Sequence, residues 1–489
     1  MHKRSLICFL LFGSLLSIFM FSCKKENQIN TDPSVQLTLS TDAILFDTVF
    51  STVGSTTKMF YVKNPSADKI VISSIRLAEG AASSFSMNVD GVPGNSISDV
   101  EIAGNDSIFI FVKVTVDPQN SNNPMVIRDS ILFDINTNQQ HVDLTAWGQD
   151  AHYIVADKVF SGSLKYTIVA AEGENITWPN DKPYLIYGYA VIDSMGRLNI
   201  DPGCRLHFFN NSGMWVYKFG TLRVNGTLDE PVTFQGSRLE QAYSESPGQW
   251  DRILINEGSK DNVINYAIIK NGFIGIQAET VGSPTSNRLI INNTIVRNMT
   301  GFGLLSRYYR IIAGNSVFAN CGAYAVTLTT GGNYDFRHCT IGNFWNYSAR
   351  QTPSLVVANY YEDLANNVQY AGDLDSAYFG NCVIYGLNSE EILLDSVSGA
   401  HYTYKFDHCL LKTELAITSG RFVNCIANQD PLFRDKSIND YRLSTGSAAI
   451  DKGDDNIITS GVLHLLDDLK GDSRLVNPPT DLGAYDYRP

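Results

Sequence analysis

Two periodicities divide the chain. From about residue 35 to 150, apolar and polar positions alternate in short runs rich in β-branched and aromatic side chains, clearest over 44–50, 58–62, 69–72, 107–116, 129–134 and 141–144. Turn-forming clusters separate the runs: Asn64-Pro65-Ser66, Asp90-Gly91, Ala103-Gly104-Asn105-Asp106 and Asp117-Pro118-Gln119-Asn120. Period-two runs bounded in this way are strands, and about seven of them in ~100 residues predict a two-sheet sandwich. Beyond Pro183 the texture changes to a longer repeat. Gly196-Arg197-Leu198-Asn199-Ile200-Asp201-Pro202-Gly203 is followed 24 residues later by Gly220-Thr221-Leu222-Arg223-Val224-Asn225-Gly226-Thr227.

The unit is clearest at His338-Cys339-Thr340-Ile341-Gly342-Asn343. Asn293-Thr294-Ile295-Val296-Arg297-Asn298, Asn315-Ser316-Val317-Phe318-Ala319-Asn320 and Asn381-Cys382-Val383-Ile384-Tyr385-Gly386 have the same form, at steps of 22, 23 and 43 residues. Tyr266, His408 and Asn424 extend the first column. A base step near 22 with variable turns predicts stacked strands of a solenoid. A leucine-rich repeat would need a dense leucine frame, whereas these units use Ile, Val, Thr and Cys, which favour strands.

The columns assign local roles. The second reads Ala267, Thr294, Ser316, Cys339, Cys382, Cys409, Cys425, a small position stacked rung on rung, with the thiols acting as small hydrophobes. Zinc sites use closely spaced cysteine pairs; none occurs, and no metal site is expected. The sixth column carries Asn271, Asn298, Asn320, Asn343 and then Gly386. Asparagine tolerates a left-handed turn and its amide can donate and accept between rungs, so an asparagine ladder is expected at this corner.

Composition adds an address. The 489 residues, 44% hydrophobic, are enough for two or more packed domains. Residues 1–22 combine a basic start (His2-Lys3-Arg4), an apolar run from Ser5 to Phe21 and a small residue, Ser22, before Cys23, the pattern of a secretory signal peptide. Residues 23–34 then form a polar tether. Without Lys3 and Arg4, the remaining 35 basic residues face 50 acidic ones, a balance that repels nucleic acid. An exported address permits disulfides, a Cys321 pairing among them, but no cysteine lies between 24 and 203 to bridge the sandwich.

Four resemblances follow. The segment ending at Cys23 resembles that of bacterial lipoproteins, which implies acylation of Cys23 and attachment to the membrane through that lipid. The Lys24-Lys25-Glu26 run behind it resembles signals that carry lipoproteins to the outer surface of some Gram-negative bacteria, which implies the outer membrane, at the cell surface. Phe60-Tyr61-Val62-Lys63-Asn64 and Ala146-Trp147-Gly148 resemble immunoglobulin-like modules of bacterial surface proteins. Finally, the order Leu-x-Ile-x-Pro-Gly, Gly-Thr-Leu-x-Val-x-Gly-Thr, Gln-Trp and His-Cys-Thr-Ile is similar to right-handed parallel β-helix proteins with the pectate-lyase-like fold. Asp430-Pro431-Leu432-Phe433 and Asp481-Leu482-Gly483-Ala484-Tyr485-Asp486 match a tail found in many of them. The expected fold is therefore all-β: a β-sandwich over 35–150, a right-handed parallel β-helix (a single-stranded solenoid) over 151–429, and a C-terminal cap over 430–489.

Function is less sharply written. The motifs of polygalacturonases are absent as a set, since Asn30-Thr31-Asp32 lies in the tether and the acid pairs Asp454-Asp455 and Asp467-Asp468 lie in the tail. Phe406-Asp407-His408-Cys409 and Arg350-Gln351-Thr352-Pro353 are each half of a pectate-lyase motif, and His408 belongs to the repeat. The catalytic residues are thus unassigned. Asp451, Asp454, Asp467, Asp468 and Asp472 are the candidates for calcium; they lack the alternation of an oxygen-ligand loop and are expected to be solvated charges, with no cofactor. Tyr308, Tyr309, Trp345, Tyr347, Tyr360 and Tyr361 sit between core strands, where ring faces can stack on sugars. The expectation is a cell-surface protein whose β-helix contacts polysaccharide as a binding module. The alternatives are a divergent polysaccharide lyase or glycoside hydrolase, and a non-catalytic adhesin or spacer.

Overall fold

The computed structural model describes residues 28–119, 124–259, 261–280, 288–476 and 478–489. Cys23 and the segment before it lie outside these residues. The chain forms two compact units, Met1–Gln149 and Asp150–Pro489. Helix among the described residues amounts to the short Asn456–Thr459 and three single 3-10 turns.

The first unit consists of two five-stranded sheets. One joins Thr38–Leu39, Lys58–Lys63, Ser107–Val114, Phe85–Val89 and Val92–Pro93, and the other Ala43–Phe50, Asn138–Gln149, Met125–Ile135, Ile70–Leu77 and Ser96–Ile102. Alternation decides which side chains go inside: in Ser107–Val114, Ile108, Ile110, Val112 and Val114 are buried while Phe109 and Phe111 face out. Both sheets contribute to one core, Phe60 and Val62 from the first and Ile72, Phe133 and Leu144 from the second. At Asp90-Gly91 both residues have positive φ, 48° and 92°, the geometry of a two-residue hairpin turn that matches strand twist.

The second unit is dominated by a parallel sheet of 27 strands, consistent with a β-helix or solenoid. Its strands stack in three columns. One runs through Asn262–Asn265 and Leu289–Asn292, the second through Ile295–Met299, Val317–Cys321, Thr340–Asn343 and Val383–Gly386. The third runs through Ile253–Ile255, Ile274–Glu279, Phe302–Gly314, Tyr324–Arg337, Leu355–Ala358 and Ile392–Asp395. Ile253, Ile276, Leu304, Val326, Leu355 and Ile392 are in register and almost fully buried, so successive rungs continue one core. Each such side chain contributes about 1.5–3 kcal/mol of burial.

The repeat seen in the sequence is a corner of this stack. Tyr266, Asn293, Asn315, His338, Asn381, His408 and Asn424 all have φ between 45° and 51°. A left-handed residue at this place in each rung swings the chain from the first column into the second, and the sixth-column Asn271, Asn298 and Asn320, at φ 66°, 56° and 51°, make a second left-handed turn on theirs; the conformation costs Asn least among residues with a side chain. The amide ladder lies here, not in the sixth column: Asn315 Nδ2 donates to Asn293 Oδ1 (3.2 Å), and Asn381 and Asn424 Nδ2 meet His338 and His408 Nε2 (3.0 and 2.9 Å). In the sixth column Asn343 bonds the backbone N–H and C=O of Cys321, Asn298 bonds Glu245 and Asn271 bonds the Ser244 carbonyl. Those amides are drawn off by backbone and by a covering loop.

The small residue after the corner has more than size to recommend it. Thr294 and Ser316 donate their hydroxyls to the carbonyl two residues upstream, at 2.8 and 2.7 Å. The thiols of Cys339, Cys382, Cys409 and Cys425 make the same bond at 3.3–3.5 Å. Each of these carbonyls also accepts a backbone N–H from the preceding rung, as Gly380 does from His338 at 2.9 Å, so the side-chain donor fills the second lone pair, which explains why Thr, Ser and Cys share the position. Cys204, Cys321, Cys339, Cys382, Cys409 and Cys425 are all free thiols.

Residues 430–489 run along the outer side of the second column. Phe433, Tyr441, Leu443, Leu482 and Ala484 pack on Val317, Ala319, Val383 and Leu410, with Ile426 of the last rung beside them. The tail is also bonded rung by rung: Tyr441 Oη donates to Asn320 Oδ1 (2.9 Å), the Ala484 amide to Thr340 Oγ1 (3.0 Å) and the Gly483 amide to the Asn381 carbonyl (2.8 Å). Fully buried Arg474 pairs with Asp486 (2.8 Å) and donates to Asn315 Oδ1 (3.0 Å).

Candidate functional site

The outer side of the third column has no such cover from the tail. Its outward positions, in register from rung to rung, are Trp215, Leu254, Gln277, Leu305, Thr327, Val356 and Leu393. At ~4.8 Å between rungs this column is about 30 Å long. Over its middle rungs it forms the floor of a groove of about 440 Å³. Phe302 and Tyr324, stacked with ring centroids 5.6 Å apart, stand on one side of the floor. On the other, the hairpin Tyr360–Asp363 with Val368–Ala371 brings the Tyr361 ring under the Arg307 guanidinium, 4.0 Å from its centroid.

A polar row crosses the groove. Tyr189 Oη donates to Asp251, whose other oxygen accepts from Arg252 Nε and Nη2 at 3.0 and 2.9 Å. Arg252 Nη1 donates to Gln277 Oε1 (2.5 Å), Gln277 Nε2 to Glu279 Oε2 (2.8 Å), and Arg307 Nη1 to the same Glu279 oxygen (3.4 Å). Burial and the neighbouring Asp251 carboxylate push the Tyr189 phenol far above its ordinary range, so it remains a donor. At the hairpin base Tyr360 Oη donates to Asp395 Oδ2 at 2.6 Å, a bond that pushes this phenol up to about 12.

Of the residues singled out in the sequence, Tyr361 lines this groove and Tyr360 braces its wall. Tyr308 is half-buried at a kink of φ 52°. That kink turns Tyr309 inward, where it is fully buried and donates to the Ser259 carbonyl (2.7 Å), with no ring face left for a sugar. Trp345 and Tyr347 pack together at 4.9 Å and belong to a clasp, in which Tyr347 Oη donates to the Glu245 carbonyl. Burial alone would raise the Glu245 carboxyl, but Arg297 and Lys270 bonded to it hold it below its ordinary value. This clasp pins the loop around residues 241–248 over Asn271 and Asn298 of the sixth column.

Of the five tail acids, Asp451 and Asp467 are exposed and the other three are used internally. Asp468 accepts from the amides of Lys470, Asp472 and Asp486, Asp454 from the amide of Asn456, and Asp472 pairs with Arg488. Among the described residues no three His, Cys, Asp or Glu side chains converge on a metal position. Arg350 is locked in a buried ion pair with Glu391 (2.6 Å), and His408 bonds Asp407 and Asn424 within the repeat.

The groove residues Arg252, Gln277, Glu279, Phe302, Arg307 and Tyr324 formed no motif in the sequence. Their neighbours across the sheet lie 22–28 residues away, and aligning the third strand of each repeat would have put them in one column.

No protein-family model and no curated protein matches the chain. Among solved structures, it is similar to the ASH/PapD-like domain 7 of human CEP192, at 9% identity and a TM-score of 0.18, covering 25% of this chain and 90% of that domain. It is also similar to a family 123 glycoside hydrolase from Clostridium perfringens described for glycolipid glycan hydrolysis, at 8% identity and a TM-score of 0.17, covering 23% of this chain and 25% of that enzyme. Likenesses this slight carry no argument about fold or function.

Proposed function

We propose that this protein is an exported lipoprotein, acylated at Cys23 and held on the surface of the outer membrane, that contacts polysaccharide as a binding module. In this reading residues 35–150 are an immunoglobulin-like spacer, and the parallel stack is a right-handed β-helix whose open third column meets the glycan. The observation that carries it is the groove itself. A sugar ring offers an apolar C–H face and a rim of hydroxyls; the groove sets Phe302, Tyr324 and Tyr361 beside planar hydrogen-bonding groups of Arg252, Gln277 and Arg307.

Binding is preferred to catalysis because both acids of the polar row, Asp251 and Glu279, are already engaged by arginines. A hydrolase needs one carboxyl to give a proton and another to act as nucleophile or base. The test is incubation of the full chain with a panel of polysaccharides, with and without calcium. Retardation in a polysaccharide-containing native gel without release of reducing or unsaturated ends is the expected result. Product release would replace this reading with a lyase or hydrolase. A chain that neither binds nor cleaves any of the panel would leave the spacer.

A further inference from the structure

The charges of the groove point to the class of glycan, an inference that rests on the reading of the open column as a polysaccharide-contacting face. Its lining contains two cationic side chains, Arg252 and Arg307, and each is closed by an acid: Arg252 by Asp251 at 2.9 Å and Arg307 by Glu279 at 3.4 Å. Gln277 bridges the two pairs, accepting from Arg252 and donating to Glu279. Arg307 is further committed to the face of Tyr361. To take a uronate or sulfate, an arginine would have to leave its carboxylate partner, and that acid would then repel the incoming anion across the groove.

A neutral sugar makes no such demand. Its hydroxyls can accept from the guanidinium N–H groups that the acids leave free and donate to the outer lone pairs of Glu279 and Asp251, so the ion pairs stay intact and present a row of donors and acceptors without net charge. The floor around the row is uncharged along the axis: Leu254, Gln277, Leu305, Thr327, Val356 and Leu393. Rungs repeat at ~4.8 Å, close to the rise of one sugar unit in an extended chain, so a linear polymer laid along the axis stays within reach of successive rungs. We infer that the groove binds a neutral, unbranched polysaccharide laid along the stack axis, with Phe302, Tyr324 and Tyr361 against its ring faces.

The experiment is native affinity electrophoresis of the full chain against neutral linear polymers (a β-glucan, a xylan, a mannan) and against polygalacturonate and alginate, at low and high salt. The wild type should be retarded by at least one neutral polymer, independently of salt, and by neither polyuronate. Phe302→Ala and Tyr361→Ala should each weaken that retardation about tenfold with an unchanged melting temperature, and Tyr347→Ala, on the clasp, should leave it as it is. Retention of a polyuronate, abolished by salt or by Arg307→Met, would overturn the assignment to neutral glycans while leaving the groove a glycan site. Neutral binding indifferent to Phe302→Ala and Tyr361→Ala would overturn the groove. No retention by any polymer would overturn the underlying reading as well.

Discussion

Two outer faces of the stack carry nearly the same side chains on the same rungs. On one, Val317, Thr340, Val383 and Leu410 lie under the C-terminal tail; on the other, Leu305, Thr327, Val356 and Leu393 line an open groove. Leu410 is 0% exposed and Leu393, on the last rung of the open face, 43%, although Leu305, Thr327 and Val356 between their stacked neighbours are 6–7% exposed. An apolar sheet face therefore does not announce its own purpose. What separates the two is where the last sixty residues lie, and they are held there by apolar packing together with specific polar ties, such as Arg474 to Asn315 and Tyr441 to Asn320.

The comparison is broken most severely by detaching the tail. Arg474→Met leaves buried Asp486 with only the more distant Arg488 (3.8 Å) as a cationic partner, and the expected loss is about 3 kcal/mol, read as a lower urea midpoint and as early proteolytic release of residues beyond 430. A tail that stays protected would mean that apolar packing alone holds it. The next largest effect is a contrast: Leu410→Ala should cost about 2–4 kcal/mol through the cavity it leaves, and Leu393→Ala on the same rung about 0.5 kcal/mol or less. Equal losses in thermal denaturation would show that the third column is packed against something after all.

A third test uses acid. His338 is fully buried, and burial, with Arg474 nearby, holds its imidazole well below its ordinary range. The unfolded chain takes up a proton at this histidine below about pH 6.5 while the folded chain does not, so stability falls as pH drops below that value, by up to ~1.4 kcal/mol per pH unit. His338→Asn, the residue that neighbouring rungs carry there, should flatten this limb of the urea midpoint against pH. Buried Asp481, raised by burial to about 6, acts in the opposite sense, gaining stability as pH falls from about 6 to 3.8, and remains in both proteins. The smallest effect concerns the corner. Cys382→Ser keeps the second donor to the Gly380 carbonyl and should leave the urea midpoint within about 0.5 kcal/mol of wild type, whereas Cys382→Val leaves that carbonyl only the His338 amide and should cost about 0.5–1 kcal/mol.

Local chemistry explains what was legible in advance. A residue forced into the left-handed region at the same place in every rung leaves a trace in sequence, because few side chains accept it, and the column from Tyr266 to Asn424 is that trace. The carbonyl-capping position beside it leaves another in Thr, Ser and Cys. The amide ladder was placed in the wrong column because asparagine suits both kinds of site. Which amides meet depends on how rungs stack, and on the loop around 241–248 that draws the sixth column away. Tyr309 was misjudged for a similar reason: adjacent tyrosines look alike in sequence, and the kink at Tyr308 sends one of them into the core.

Sequence by itself determined the strand-rich composition, the repeat and the chemistry of its corner, since each is imposed within a few residues by backbone sterics and by a carbonyl lone pair that a small side-chain donor can fill. Only the tertiary structure decided which apolar column is covered and which is open. It also decided that Arg252, Gln277, Glu279 and Arg307 share one hydrogen-bonded row, because parallel stacking joins residues a full rung apart and nothing in the intervening chain records the meeting.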